Sequence, residues 1–131
     1  MNADLRRIIH VEDEADIRQL VELSLGTVGG YEVISFARGQ EALEKSPGMH
    51  PDLFILDVMM PGIDGEETLL RLRQLAEFRY TPIIFMTAKA SKEDQEHLKS
   101  LGAVDVIPKP FDPMNLPAQV RSIWGRAQAS I

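Results

Sequence analysis

The sequence predicts a doubly wound α/β fold, in which a five-stranded parallel sheet is covered by helices on both faces. Two observations lead to this prediction. Short apolar runs alternate five times with amphipathic segments along the 131 residues. The runs are also rich in Ile, Val and Leu, as strands are when both faces of a parallel sheet are buried beneath helices.

Each strand is predicted from one of the apolar runs, because a short apolar run between turn signals is typical of a buried strand. Glycine and proline supply several of these turn signals, for example Gly29-Gly30 before the second strand and Pro47-Gly48 before the third. The predicted strands cover about residues 7–11, 31–36, 52–57, 82–87 and 104–108.

Five helices are predicted to follow the strands. The first is indicated by Ile17, Leu20, Val21 and Leu25, which have the i, i+3, i+4 and i+8 spacing of one apolar helix face. The other four are predicted at about residues 38–45, 66–77, 91–102 and 112–127.

Ser91 is the predicted N-cap of the fourth helix, because its hydroxyl can accept a hydrogen bond from the first helical turn. A capping box would require Glu or Gln three residues later. That position is Asp94, so we expect an imperfect box.

Length and composition indicate one domain over residues 1–131, with a core at about 6–127 and no separate output domain. The net charge of -6 argues against direct binding of nucleic acid, which requires a basic surface. The absence of cysteine excludes disulfides and thiolate metal sites. No apolar stretch approaches the roughly 20 residues of a membrane span, and we expect a cytoplasmic protein without membrane contact.

Acidic residues follow two of the predicted strands. Glu12 and Asp13 end the first strand, and Asp57 ends the third. If the strand order is 2-1-3-4-5, these strands are neighbours and Asp13 lies beside Asp57. Like charges at that distance raise each other's pKa unless a cation intervenes. Because Mg²⁺ prefers carboxylate oxygens and waters, the sequence predicts a magnesium site at this edge of the sheet.

Thr87 ends the fourth predicted strand and Lys109 the fifth. A threonine or a lysine alone at a strand end is usually structural or solvated. Together, at the edge that holds Asp57, they indicate a site for a phosphoryl group, since lysine pairs with carboxylates and phosphates and a hydroxyl can donate to a phosphoryl oxygen.

Four segments carry a family resemblance: Val11 to Glu14, Leu56 to Gly65, Met86 to Ala88 and Lys109 to Phe111. In this order and at these spacings, they resemble the receiver domain of two-component response regulators of the chemotaxis type. The resemblance covers essentially the whole chain. It implies a flavodoxin-like (βα)5 fold with strand order 2-1-3-4-5.

The resemblance also implies roles for the acidic residues. Asp57 is expected to be the phosphoacceptor. Asp13 and Asp57 are expected to bind Mg²⁺ directly, with Glu12 acting through a water and the Met59 carbonyl as a further ligand. Glu12 stands where the family often has Asp, and its longer side chain can still reach a metal-bound water.

Thr87 and Lys109 are expected to bind the phosphoryl group. Its donor would be a phosphohistidine on a sensor histidine kinase or a phosphotransfer protein, and the output a downstream protein target or a phosphorylation-dependent homodimer. The domain would be a signalling module whose only catalysis is its own phosphorylation and dephosphorylation. Val106 stands where the family often has an aromatic residue, so we expect signalling without the usual ring rotation.

Two alternatives remain open at this point. An aspartyl-phosphate phosphatase would have a second Asp two residues after its nucleophile, where this chain has Met59. A flavodoxin-like binding module would have a loop rich in Ser, Thr and Gly after its first strand. This chain has Glu12-Asp13-Glu14 there, which would repel a phosphate unless a metal bridged the two.

Overall fold

The computed structural model describes residues 4–129 and contains the predicted sheet. Its five strands are parallel and lie in the order β2-β1-β3-β4-β5. They are β1 Arg7–Val11, β2 Glu32–Phe36, β3 Leu53–Leu56, β4 Ile83–Thr87 and β5 Asp105–Pro108. The fold class and the strand order predicted from the sequence are both confirmed.

Five α-helices follow the strands, two of them extended by other helical turns. They are α1 Ala15–Val21, α2 Gly39–Lys45, α3 Gly65–Gln74, α4 Lys92–Ser100 and α5 Leu116–Ala129. A π-helical segment, Glu22–Val28, continues α1, and a 3-10 turn, Ala76–Phe78, follows α3. Among residues 4–129, no helix is both long and apolar enough to cross a bilayer.

The sheet is buried on both faces because its side chains alternate between two apolar clusters. Ile9 and Val11 of β1 belong to a cluster that includes Leu69 and Leu72 of α3. Ile8 belongs to the opposite cluster, in which the helical members come from α5 and from α1 with its π-helical extension. Every residue of β3 is fully buried, as expected of a central strand between two helix layers.

The first helix differs from its predicted apolar face at Leu20. Val21 and Leu25 are fully buried, but Leu20 is 37% exposed. Successive residues are about 100° apart round a helix, so Leu20 lies at the margin of a face centred on Val21. The π-helical turns then direct Ser24 inward, where its hydroxyl donates to the Pro113 carbonyl at 2.5 Å.

Two predicted helix boundaries were wrong. The predicted helix at 66–77 ends at Gln74, because Leu75 is extended (φ -83°, ψ 125°) and starts the separate 3-10 turn. The last helix starts at Leu116 rather than near Asp112. The Asp112 side chain instead accepts from the Met114 amide at 3.0 Å and stabilises a turn before the helix.

The prediction that the α4 capping box is imperfect was also wrong. The Ser91 hydroxyl accepts from the Asp94 amide at 3.0 Å, and the Asp94 carboxylate accepts from the Ser91 amide at 3.2 Å. The shorter Asp side chain therefore completes the box that Glu or Gln usually forms. Hydrogen bonds to the Ser91 side chain and amide lower the pKa of Asp94.

Replacing Ser91 with alanine should lower the free energy of unfolding by about 1 kcal/mol, because the Asp94 amide in the first turn loses the Ser91 hydroxyl that accepts from it. Urea unfolding of the native chain and of Ser91→Ala measures the difference. Ser100→Ala, at the other end of α4, is the matched control and should cost less. Equal losses in the two variants would show that the box does not stabilise α4.

Candidate functional site

The ends of β1 and β3 bring three carboxylates together. Val11 pairs with Leu56 in the sheet register, and the Asp57 amide donates to the Val11 carbonyl at 3.1 Å. The next residues, Glu12 and Asp13, therefore face Asp57 across neighbouring strands. Carboxylate oxygens of these three acids all lie within 4.8 Å of one another. The predicted juxtaposition of Asp13 and Asp57 is confirmed.

Burial and proximity make it unfavourable for all three acids to be ionised without a positive charge nearby. Glu12 is fully buried and Asp57 is 7% exposed, whereas Asp13 is half-buried. Carboxylates withdrawn from water and placed side by side favour protonation or a bound cation. Whether the acids stay ionised therefore depends on the positive groups around them.

Lys109 supplies the nearest positive charge. Its ammonium donates to Glu12 Oε1 at 2.5 Å and to Asp57 Oδ2 at 3.1 Å, and its side chain is only 13% exposed. The Lys109 amide donates to the Thr87 carbonyl at 2.9 Å, which fixes the backbone beside β4. The predicted pair with Asp57 is present, and the shorter contact with Glu12 is an addition to that prediction.

The pKa shifts follow from this arrangement. Burial raises the pKa of Glu12, and the Lys109 hydrogen bond opposes that effect while the Asp57 charge adds to it. Burial acts to lower the pKa of Lys109, but the bonds and charges of Glu12 and Asp57 prevail and raise it. The lysine therefore stays charged.

The buried His10 responds to the same positive field. Its pKa falls to about 3, chiefly through burial and further through the charges of Lys109 and Arg18. His10 lies in β1, and its lowered pKa favours the neutral imidazole at neutral pH.

Thr87 lies fully buried at the end of β4, between the strands that end at Asp57 and Lys109. Its hydroxyl oxygen accepts from the Lys89 amide at 3.0 Å. A hydroxyl can donate its proton while it accepts, so this bond leaves Thr87 able to donate to a ligand. Met59, two residues after Asp57, has a side chain 65% exposed to solvent.

Two residues that position the site were given no role from the sequence. Arg18 donates to the Glu12 and Asp13 carbonyls at 2.8 and 2.9 Å, and so fixes the loop that carries both acids. Gly65 packs against Asp57, since a Cβ at position 65 would lie 1.9 Å from the Asp57 carbonyl oxygen. The Leu56 to Gly65 segment pointed to that glycine, but no sequence signal distinguishes Arg18 from a solvated helix residue.

The donor set fits a hard divalent cation. Three carboxylate oxygens converge, and the Lys109 ammonium already lies between two of them as a positive charge would. One ammonium against three carboxylates leaves negative charge uncompensated. Mg²⁺ binds through one or a few carboxylates together with waters and phosphate oxygens, which is the chemistry that this cluster offers.

The model of one protein family, the response regulator receiver domain, matches residues 8–121. The chain belongs to this family. Among curated proteins, the receiver is 42% identical over 120 residues to the "Probable transcriptional regulator ycf27" of Porphyridium aerugineum, covering 92% of this chain and 48% of the relative. It is 39% identical over 123 residues to the alkaline phosphatase synthesis transcriptional regulatory protein PhoP of Bacillus subtilis, covering 94% and 50%.

Solved structures agree with this assignment. The receiver superposes on the chemotaxis protein CheY4 of Vibrio cholerae with a TM-score of 0.84 at 34% identity, covering 91% of this chain and 98% of that one. The chain spans about half the length of the first curated relatives that it matches. The family match favours the receiver interpretation over the phosphatase and flavodoxin-like alternatives.

Removing the Lys109 charge should destabilise the receiver and increase its response to magnesium. In Lys109→Met, Glu12 and Asp57 lose their ammonium partner, and breaking a buried pair in this way costs about 3 kcal/mol. Added Mg²⁺ should restore part of the loss, because a cation can replace the ammonium. Thermal melts with and without Mg²⁺ measure both effects.

Lys89→Met is the matched control, since Lys89 is exposed at the same edge of the sheet. It should change neither the stability nor the magnesium response appreciably. The interpretation fails if Lys109→Met melts like the native chain in the absence of divalent cations.

Proposed function

We propose that this receiver accepts a phosphoryl group on Asp57 from a phosphohistidine of a sensor histidine kinase or a phosphotransfer protein. The observation that supports the proposal is that the Asp57 carboxylate lies within 4.8 Å of the other two acids and accepts from the Lys109 ammonium at 3.1 Å. An Asp57 carboxylate oxygen attacks phosphorus, the donor N–P bond breaks, and its electron pair stays on the imidazole nitrogen. Transfer of this kind depends on positioning and charge neutralisation.

The cation would be held by Asp13, Asp57 and the Met59 carbonyl, with Glu12 acting through a water. Bound magnesium would neutralise charge on the phosphoryl oxygens as they approach the carboxylates. The three acids carry more negative charge than Lys109 neutralises, and this excess would repel a phosphate. Phosphorylation is therefore expected to need the cation.

Lys109 would change partners during transfer. Before transfer its ammonium contacts one oxygen of Asp57 and one of Glu12. Once Asp57 is an acyl phosphate, the dianionic phosphoryl group becomes the stronger acceptor for the ammonium. Thr87, whose hydroxyl keeps a proton to donate, is the second binding group of this chain.

The output would start at Thr87. If the Thr87 hydroxyl turns toward a phosphoryl group on Asp57, its hydrogen bond with the Lys89 amide changes. The segment at 88–90, which precedes α4, would then move. Val106 is buried in the apolar cluster beside α4 and has no ring to rotate. Signalling to a downstream protein, or to a second copy in a homodimer, would therefore run through the segment after β4.

The remaining features of the proposal come from the sequence. The charge of -6 supports a partner other than nucleic acid for this chain, and a cytoplasmic location suits a phosphohistidine donor. Both stay predictions, and the longer relatives that bear regulator names extend beyond the length matched here.

Incubation with acetyl phosphate and Mg²⁺ should add one phosphoryl group to the native chain, measured by intact mass. Asp57→Asn should abolish this gain while leaving the fold intact, because the amide is a poor nucleophile of similar shape. Asp52→Asn is a suitable control at another acid. Undiminished labelling of Asp57→Asn would refute the acceptor assignment.

The phosphorylated receiver should lose its phosphoryl group slowly. Met59 is apolar, and a protonated Lys89 has no lone pair to take a proton from an attacking water. General-base help is worth roughly 10²–10⁴-fold where it exists. The double variant Met59→Asn, Lys89→Glu should therefore dephosphorylate faster than the native chain at equal Mg²⁺, measured as decay after donor removal.

A control double variant, Leu70→Asn with Lys92→Glu, likewise replaces an apolar residue with Asn and a lysine with Glu, at two exposed positions of α3 and α4. Its decay should match that of the native chain. Equal or faster decay in the native chain than in the Met59 and Lys89 variant would show that these positions do not control access of water.

A further inference from the structure

A polar cavity lies between α3 and α4, at the edge of the sheet that holds the carboxylate cluster. Its volume is about 340 Å³, and its floor includes Val58 and Leu98. Glu66 lines it from α3, and Glu93 and His97 line it from α4. Its described lining contains none of Glu12, Asp13 and Asp57, although Val58 and Lys89 place the cavity beside that cluster.

Two metal-ligating atoms already meet in this cavity. His97 Nε2 lies 2.9 Å from Glu66 Oε1, which joins α4 to α3. Neighbouring ligands of a tetrahedral Zn²⁺ ion, with bonds of about 2.0–2.2 Å, lie roughly 3.3–3.6 Å apart. A cation would therefore replace this hydrogen bond after the two side chains separate by roughly 0.4–0.7 Å.

A third ligand stands one helical turn away. Glu93 precedes His97 by four residues, and residues four apart lie on the same face of a helix. The Glu93 carboxylate does not yet converge with the other two groups, since among residues 4–129 three ligand atoms meet at Glu12, Asp13 and Asp57. A site here therefore requires the Glu93 side chain to rotate toward the pair. Asp94 also lines the cavity, but its carboxylate is engaged in the capping box with Ser91.

The charge balance favours a cation. Glu66, Glu93 and Asp94 bring three carboxylates to the cavity, and Lys89 brings one ammonium. Imidazole nitrogen selects transition metals such as Zn²⁺, whereas Mg²⁺ prefers oxygen alone. The ligand set at this cavity therefore differs in kind from the all-oxygen set at Asp57.

We propose that Glu66, Glu93 and His97 form a second cation site, which binds a divalent transition metal of the Zn²⁺ class and joins α3 to α4. The link would matter because Leu98 is the one buried residue that α4 contributes. Metal binding would thus hold the helix that follows the segment at 88–90. The binding itself does not depend on phosphorylation of Asp57, although any effect on signalling rests on that proposed function.

Titration of Zn²⁺ into the native chain in excess Mg²⁺, followed by amide NMR signals, tests the proposal. Signals of α3 and α4 should shift and saturate at one equivalent. His97→Ala should weaken binding at least roughly tenfold, since even changes around a metal ligand cost that much. Glu66→Gln and Glu93→Gln should each weaken it as well.

His50→Ala is the matched control, because exposed His50 also lies beside an acid, 4.0 Å from Glu77. It should leave Zn²⁺ affinity unchanged. Undiminished binding in His97→Ala or Glu93→Gln, or shifts confined to residues around Asp57, would overturn the proposal. No phosphodonor is used, so such a failure would leave the acceptor role of Asp57 untouched.

Discussion

The Lys109 ammonium neutralises part of the buried negative charge at the edge of the sheet where β1 and β3 end. Lys109 donates to Glu12 and Asp57 at the same time, and both acids are almost entirely withdrawn from water. Without a positive charge there, three neighbouring carboxylates would repel one another or take up protons. The same charge leaves the edge short of full neutralisation, and the proposed divalent cation would supply the missing positive charge.

The sheet order is what makes this contact available. With β1 beside β3, Glu12 and Asp57 meet across one strand spacing, while Lys109 reaches them from β5 across the end of β4. Arg18 holds the backbone of the acidic loop, and Gly65 allows the loop after β3 to pack on Asp57. Side chains far apart in sequence are thus brought together by contacts of the strands and of the loops that follow them.

The sequence was sufficient for the fold and for the residues that converge, because buried runs and their terminal side chains are local signals. Boundaries at Leu75 and Leu116 were missed, because Leu75 adopts an extended backbone and the Asp112 side chain stabilises a turn before α5. The bond from Lys109 to Glu12 and the role of Arg18 depend on side-chain directions that no spacing reveals. The pair of Glu66 and His97 likewise arises only when α3 and α4 pack together.

We propose that Asp13 and Asp57 create a cation site and that a cation bound there stabilises the receiver. The most direct measurement is the melting temperature during a Mg²⁺ titration of the native chain and of Asp13→Ala. At roughly ten times Kd, the native chain should gain about 1.4 kcal/mol of stability, and Asp13→Ala should lose this gain. A magnesium-dependent rise of equal size in Asp13→Ala would contradict the account, because the cation would then bind elsewhere or chiefly through Glu12.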